Sequence, residues 1–169
     1  MKYILSIILC MFLLTSCANT YVGGVKFDKL KQAKPKDIAM IGVGMVASFL
    51  THEAGHIILL EAFNADYDVT FKHFGPYIEF EDSTMSNNEI RWVSRTGLLT
   101  QNIVGLFLPE DSFFTVGYVA TSAIETISYP IRNRGYGDLY TLDKYNGNSS
   151  LEWGVYSLIS GYNLFRIEW

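Results

Sequence analysis

Residues 38–63 read IAMIGVGMVASFLTHEAGHIILLEAF, and this apolar run decides how the chain folds. Its length and composition predict a helix that is apolar on nearly every side. The ionisable residues within it are His52, Glu53, His56 and Glu61. Isolated polar groups are costly to bury, so two histidines and a glutamate in such a helix require partners. The run therefore predicts a central helix that is built around a polar site.

The sequence HEAGH at residues 52–56 has the spacing of a metal site. Residues i and i+4 of a helix lie one above the other, so the imidazoles of His52 and His56 can bind the same ion. His-Glu-x-x-His on a helix is a signature of zinc peptidases, in which the glutamate accepts a proton from a metal-activated water. The motif predicts one Zn²⁺ bound by His52 and His56, with Glu53 as the general base. The alternative is a pair of core histidines with a capping or pairing glutamate.

A third metal ligand is expected elsewhere in the chain, because catalytic zinc usually has three protein ligands and one open position. Glu125 is the only charged residue inside a predicted apolar helix, where it must be paired or metal-bound. The alternative is an ion pair with Arg91, Arg95 or Arg132. Asp138 follows Gly137 at a predicted helix start, where it could also be a plain N-cap. Glu79 and Glu81, in or beside a predicted strand, are further candidates. Residue types alone favour neither Glu125 nor Asp138.

The remaining sequence predicts a mainly α fold, a compact helical bundle with one small hairpin. Residues 67–71 and 77–80 alternate apolar and polar side chains around a turn, as in a β-hairpin. Further helices are predicted at residues 87–108, 111–129, 138–145 and 151–167. Pro130 is expected to end the second of these helices. Gly42 and Gly44 in the first helix indicate close packing against a neighbour.

The order of these elements resembles the core of the site-2 protease family of membrane-embedded zinc peptidases. The resemblance covers residues 38–145. It consists of an apolar His-Glu-x-x-His helix, a small hairpin, an apolar helix with TGLLTQ at residues 96–101, and a late Gly-Asp pair. The resemblance implies that His52 and His56 are metal ligands and that Glu53 is the base.

The same resemblance also implies a third ligand and a residue near the substrate. Asp138 matches the aspartate that completes the zinc site of the family. Gln101 falls where the family has an amide near the substrate. Two features depart from the family pattern: Leu139 follows Asp138 where a glycine is usual, and the Asn-Pro that often precedes the aspartate is absent. Because of these departures, Glu125 stays open as an alternative third ligand.

Residues 1–16 have the features of a bacterial signal peptide. A lysine precedes an apolar stretch at residues 4–14, which is too short to span a bilayer. The sequence LTSC at residues 14–17 resembles a lipobox, in which the cysteine is acylated and becomes the mature N-terminus. The alternative is an ordinary signal peptide beside an incidental Cys17. Ala18, in place of aspartate, resembles lipoproteins that are passed on to the outer membrane.

These features divide the chain into three parts. Residues 1–16 form the signal peptide, residues 17–37 form the lipidated Cys17 and a polar tether, and residues 38–169 form a helical metallopeptidase-like domain. The only other cysteine lies in the signal peptide, so the exported domain is expected to lack disulfides. The net charge of −4 and the pI near 5.3 argue against nucleic acid as a partner. The predicted partners are a protein or peptide substrate and, through the lipid, a membrane.

The composition is consistent with either a lipid-anchored domain or an integral membrane protein. Hydrophobic residues make up 49% of the chain, yet its mean hydropathy of +0.16 is low for a chain that is mostly in lipid. Residues 38–60 are long enough to cross a bilayer. An acylated Cys17 would, however, place the five lysines of the tether outside the cytoplasm, against the positive-inside tendency. The favoured prediction is a lipid-anchored domain of the cell envelope at the outer membrane. The alternative is an integral inner-membrane protein.

The predicted function is the hydrolysis of peptide bonds at the cell envelope by a zinc-dependent peptidase. A prediction from a different class is a non-catalytic envelope lipoprotein, in which the metal site is structural or vestigial. A third is a metal-binding partner of an envelope complex, with the aromatic C-terminal helix as its contact surface.

Overall fold

The computed structural model describes residues 21–22, 25–26, 28–72, 75–132, 137–167 and 169. The predicted signal peptide and Cys17 lie outside these residues. In the predicted polar tether, Tyr21–Val22 (β1) and Val25–Lys26 (β2) pair as antiparallel strands, and Asp28–Lys31 form a short helix (α1). This segment therefore contains short regular elements, which its polar composition did not indicate.

The remaining elements form a helical bundle with one hairpin. Its helices are Pro35–Ala62 (α2), Asn87–Phe107 (α3), Phe113–Arg132 (α4), Asp138–Lys144 (α5) and Ser149–Arg166 (α6). The hairpin pairs Tyr67–Lys72 (β3) with Gly75–Phe80 (β4) in antiparallel register, from Tyr67 opposite Phe80 to Lys72 opposite Gly75. A mainly α fold with a small hairpin is therefore confirmed.

Helix α2 packs chiefly against α4 and α3 and carries its polar residues on the buried side. It starts with proline at its first turn, and the Asp37 carboxylate accepts a hydrogen bond from the Lys34 N–H at 2.9 Å. Its buried residues are Gly44, Ser48, His52, Gly55, His56 and Leu60. Spacings of three and four place these residues on one stripe of the helix. The stripe that faces the bundle is therefore small and polar, although the helix as a whole is apolar.

Small residues allow α2 and α4 to approach until their backbones touch. A Cβ atom on Gly44 would collide with the carbonyl of Phe114, and one on Gly117 would collide with the carbonyl of Ile41. Gly44 therefore has the close packing that the sequence indicated. Gly42 does not: it is exposed, and a Cβ atom there would meet nothing within 4 Å.

Helix α4 continues past Pro130 to Arg132, so the prediction that this proline ends the helix is wrong. Proline has no N–H, and it cannot donate to the carbonyl of Thr126 one turn earlier. The indole N–H of Trp153 on α6 donates to that carbonyl instead, at 2.9 Å. A tertiary contact therefore satisfies the acceptor that the proline leaves free, and the helix persists.

The bundle buries many polar groups beside its apolar core, and many large apolar groups face outward. The following polar residues are at most 1% exposed: Ser48, Gln101, Asn102, Thr115, Thr126 and Asn163. Large apolar side chains face outward on all four long helices, and they include Val46, Ile58, Phe107, Ile124 and Leu158. Among the described residues, α2 is the one helix that is long and apolar enough to cross a membrane.

Gly42 and Gly44 of α2 generate a prediction. Gly44→Ala should lower the free energy of unfolding by about 1–3 kcal/mol, because the methyl group forces α2 away from α4. Gly42→Ala is the matched control. It should raise the free energy of unfolding by about 0.5–1 kcal/mol, because alanine restricts the unfolded chain and meets no neighbour. Unfolding of both purified variants measures the difference, and equal effects would contradict the packing described for Gly44.

Candidate metal centre

Three buried side chains from two helices converge at the inner face of α2. His52 Nε2 lies 3.2 Å from His56 Nε2. The carboxylate of Asp138 on α5 lies 3.2 Å from His52 Nε2 through Oδ2 and 3.3 Å from His56 Nε2 through Oδ1. One ligand atom from each residue falls within 4.8 Å of the others, and across the described part of the chain these three form the group that could hold a metal ion.

The spacing of these atoms agrees with tetrahedral coordination. Zinc binds imidazole nitrogen and carboxylate oxygen at about 2.0–2.1 Å, so neighbouring ligands of a tetrahedron lie about 3.3 Å apart. The two nitrogens lie 3.2 Å apart, close to this value, and each of them faces a different oxygen of Asp138, at 3.2 and 3.3 Å. Two imidazoles and one carboxylate also form a donor set that zinc accepts in catalytic sites.

Gly97 on α3 provides space at the two nitrogen atoms. A Cβ atom at this position would lie 2.7 Å from His52 Nε2 and would also collide with His56 Nε2. Helix α3 is therefore close to the imidazoles while it leaves their metal-facing atoms free of side-chain atoms. No pattern in the sequence predicted this role of Gly97, because the role depends on how α3 packs on α2.

The backbone of α3 determines which nitrogen of His56 carries the proton. The Nδ1 of His56 lies 2.8 Å from the carbonyl oxygen of Val93. A carbonyl only accepts hydrogen bonds, so Nδ1 is the donor and the neutral ring presents an unprotonated Nε2 to the site. Such a backbone carbonyl behind a metal-ligating histidine is a common support, because it orients the ring.

Helix α5 carries Asp138 to the histidines. The helix begins after Gly137, whose φ of 94° is a conformation that side chains rarely adopt. Leu139 and Leu142 pack in a core cluster and anchor the helix. The hydroxyl of Tyr129 donates to Asp138 Oδ2 at 3.0 Å, a partner that no pattern in the sequence indicated.

Asp138 is ionised in this setting. Burial disfavours the charged form, but in the absence of a metal ion the protonated imidazoles of His56 and His52 attract it and donate hydrogen bonds to it. Together they hold the pKa of the Asp138 carboxyl well below its usual range. The group therefore presents a carboxylate to the site, which is the form that binds metal ions.

The other proposed third ligands lie elsewhere. Glu125 faces the opposite nitrogen of His52, with its Oε1 3.9 Å from Nδ1. Glu79 and Glu81 are exposed on or beside the hairpin. Two of the arginines proposed as partners of Glu125 are engaged elsewhere: Arg95 pairs with Glu152 at 2.8 Å, and Arg91 donates to Asn88 Oδ1 at 3.3 Å. The side chain of the third, Arg132, lies outside the described residues. The structure therefore brings Asp138, and not Glu125, to the shared face of the two histidines.

Glu53 lies beside this cluster. It follows His52 on α2, its side chain is half-buried, and it interacts electrostatically with His52, His56 and Asp138. A carboxylate at the edge of the site can accept a proton from a water molecule there.

Gln101 lies inside the bundle, where its side chain is fully buried. Its Nε2 donates to Ser48 Oγ at 2.8 Å and to Glu125 Oε2 at 2.9 Å. The amide of Gln101 therefore connects three helices, and its place near a substrate stays a prediction of the family resemblance.

Comparison with known proteins identifies no relative of this chain. No family model, no curated protein and no solved structure matches it. The resemblance to the site-2 protease family stays a prediction that rests on the residues quoted above.

Proposed function

We propose that this chain is a zinc-dependent peptidase of the cell envelope. The observation that carries the proposal is the convergence of His52, His56 and Asp138 at tetrahedral spacing, with Glu53 beside them. A His-Glu-x-x-His helix with a distant carboxylate is the donor arrangement of hydrolytic zinc sites. His52, His56 and Asp138 would bind the ion.

The residues around the ion have separate roles in this proposal. When bound, a divalent ion supplies a Lewis acid that lowers the pKa of water and stabilises negative charge on oxygen. Glu53 accepts a proton from the attacking water on its carboxylate and then donates it to the leaving amine. Tyr129 holds the Asp138 carboxylate in position and the Val93 carbonyl holds the His56 ring, so these two ligands need little rearrangement during the reaction.

The hairpin supports an extended peptide as the substrate. Among the described strands, β3 and β4 pair only with each other, so each has one edge without a strand partner. Strand β4 also packs against α2, which carries the candidate site. An extended peptide can add to such an edge through backbone hydrogen bonds, and this would align its carbonyl groups.

The arrangement of polar and apolar groups favours the integral inner-membrane alternative over a lipid-tethered domain. Polar side chains connect the helices inside the bundle, and large apolar side chains cover its outside. Close helix contacts at Gly44, Gly55 and Gly117 are typical of helices that pack in lipid. Helical spans also fit the inner membrane, because proteins that cross the outer membrane are barrels. We therefore propose that the apolar surface contacts lipid.

The role of Glu53 can be tested by Glu53→Gln. This variant should keep one equivalent of zinc while the cleavage of casein, or of the chain itself, falls by about 100-fold or more, because the general base is lost. Glu61→Gln is the control on the same helix. Its carboxylate is exposed, accepts a hydrogen bond from the Tyr67 hydroxyl at 2.7 Å, and lies away from the site.

Metal content and peptide release are measured on the same preparations. Unchanged cleavage by Glu53→Gln would contradict the role of the base. Zinc-loaded wild type that cleaves neither substrate would support the non-catalytic alternative.

The membrane location can be tested with Cys17→Ala, which removes the predicted lipid attachment. The variant should stay in the membrane fraction after washing with alkaline carbonate and be released only by detergent, because its apolar surface itself contacts lipid. Complete release into the carbonate wash would contradict the integral location and favour the lipid-anchored alternative.

A further inference from the structure

The Nδ1 atom of His52 has no hydrogen-bond partner among the described residues, although His52 is only 3% exposed. This contrasts with His56, whose Nδ1 donates to the Val93 carbonyl. A buried N–H without an acceptor is costly. One group that can accept a hydrogen bond faces this atom. That group is the carboxylate of Glu125, with Oε1 3.9 Å away.

Glu125 is held in place by residues of the other two central helices. Its Oε2 accepts a hydrogen bond from Gln101 Nε2 on α3 at 2.9 Å. The same amide nitrogen donates to the hydroxyl of Ser48 on α2 at 2.8 Å. Ser48 lies one helical turn before His52, so the network returns to the helix of the metal ligands. The second oxygen of Glu125 is left directed at His52.

We propose that Glu125 is a positioning residue: its carboxylate accepts a hydrogen bond from the Nδ1–H of His52, which leaves Nε2 of that ring unprotonated and able to bind the metal ion. This inference rests on the proposed zinc site. Neutral imidazole carries one proton on either nitrogen, and a carboxylate behind Nδ1 holds it there. Metal-ligating histidines commonly donate their other N–H to a carboxylate or a backbone carbonyl. Glu125 would supply the carboxylate behind His52, and Val93 supplies the carbonyl behind His56.

The burial of Glu125 supports this role. Its side chain is 11% exposed in an otherwise apolar helix, and an isolated carboxylate there is costly. Behind a histidine that binds a cation, the negative charge instead strengthens the ligand, because it stabilises the positive charge that the ring shares with the ion. The family resemblance does not supply this residue, and the sequence offered it only as a ligand or as the partner of an arginine.

The test measures zinc affinity and the protonation of His52, independently of activity. Full-length wild type, Glu125→Gln and Glu125→Ala are titrated with zinc against a chelator of known affinity. Loss of the Glu125 carboxylate should weaken zinc binding by roughly 10- to 100-fold. The loss should be larger in Glu125→Ala than in Glu125→Gln. Ser122→Ala is the matched control, because Ser122 is buried on α4 and its hydroxyl has no described partner. The control should bind zinc as wild type does.

Nitrogen NMR on histidine-labelled, zinc-loaded protein provides the second measurement. In wild type the Nδ1 proton of His52 should be visible and protected from exchange with solvent. In Glu125→Ala this signal should be lost or shifted, while the Nδ1 signal of His56 beside Val93 stays in place. A purely structural role would lower the melting temperature of the metal-free variants and leave both signals unchanged.

The possible outcomes separate the inference from the proposed function. Unchanged zinc affinity and an unchanged His52 signal in Glu125→Ala would overturn the positioning role while the zinc site stands. Zinc binding that is abolished in Glu125→Ala but kept in Asp138→Ala would make Glu125 a direct ligand and also overturn it. Wild type that binds no zinc would overturn the proposed function itself.

Discussion

The contact between two imidazoles of α2 and one carboxylate of α5 is the interaction on which the rest of this structure depends. His52 and His56 lie in the interior, where neither ring can be hydrated as it is in water. Asp138 supplies the charge that makes their burial tolerable, and Tyr129 holds that carboxylate from the neighbouring helix. The helices around the site are arranged to keep these three groups together.

Glycine and polar residues provide that arrangement. Gly44 and Gly117 bring α2 and α4 into backbone contact, and Gly97 allows α3 to approach the imidazoles without covering their Nε2 atoms. Buried amides such as Gln101 then connect the helices through hydrogen bonds. Many large apolar side chains face the outside of the bundle, and this surface supports the membrane location proposed above.

The helices and strands could be predicted from the sequence more reliably than the contacts between them. The mainly α fold, the hairpin and the pairing of His52 with His56 follow from local periodicity, which the 3.6-residue repeat of a helix determines. The choice between Asp138 and Glu125 depends on how α4 and α5 pack, and residue types carry no such information. The burial of Gln101 could not be predicted for the same reason, since it is a property of the assembled bundle.

Two features of the backbone could not be predicted from local sequence patterns. Pro130 was expected to end a helix, because it lacks an N–H, but Trp153 satisfies the acceptor that the proline leaves free. Gly42 and Gly44 are two residues apart and identical in type, yet only one faces a neighbour. Which of them does so depends on the direction from which α4 approaches.

The central claim is that His52, His56 and Asp138 bind one divalent ion. X-ray absorption at the zinc edge, on purified protein loaded with one equivalent of zinc, tests this most directly. The account predicts a four-coordinate ion with two imidazole nitrogens and carboxylate or water oxygen at about 2.0–2.1 Å. Failure to retain zinc, or a spectrum without imidazole scattering, would contradict it.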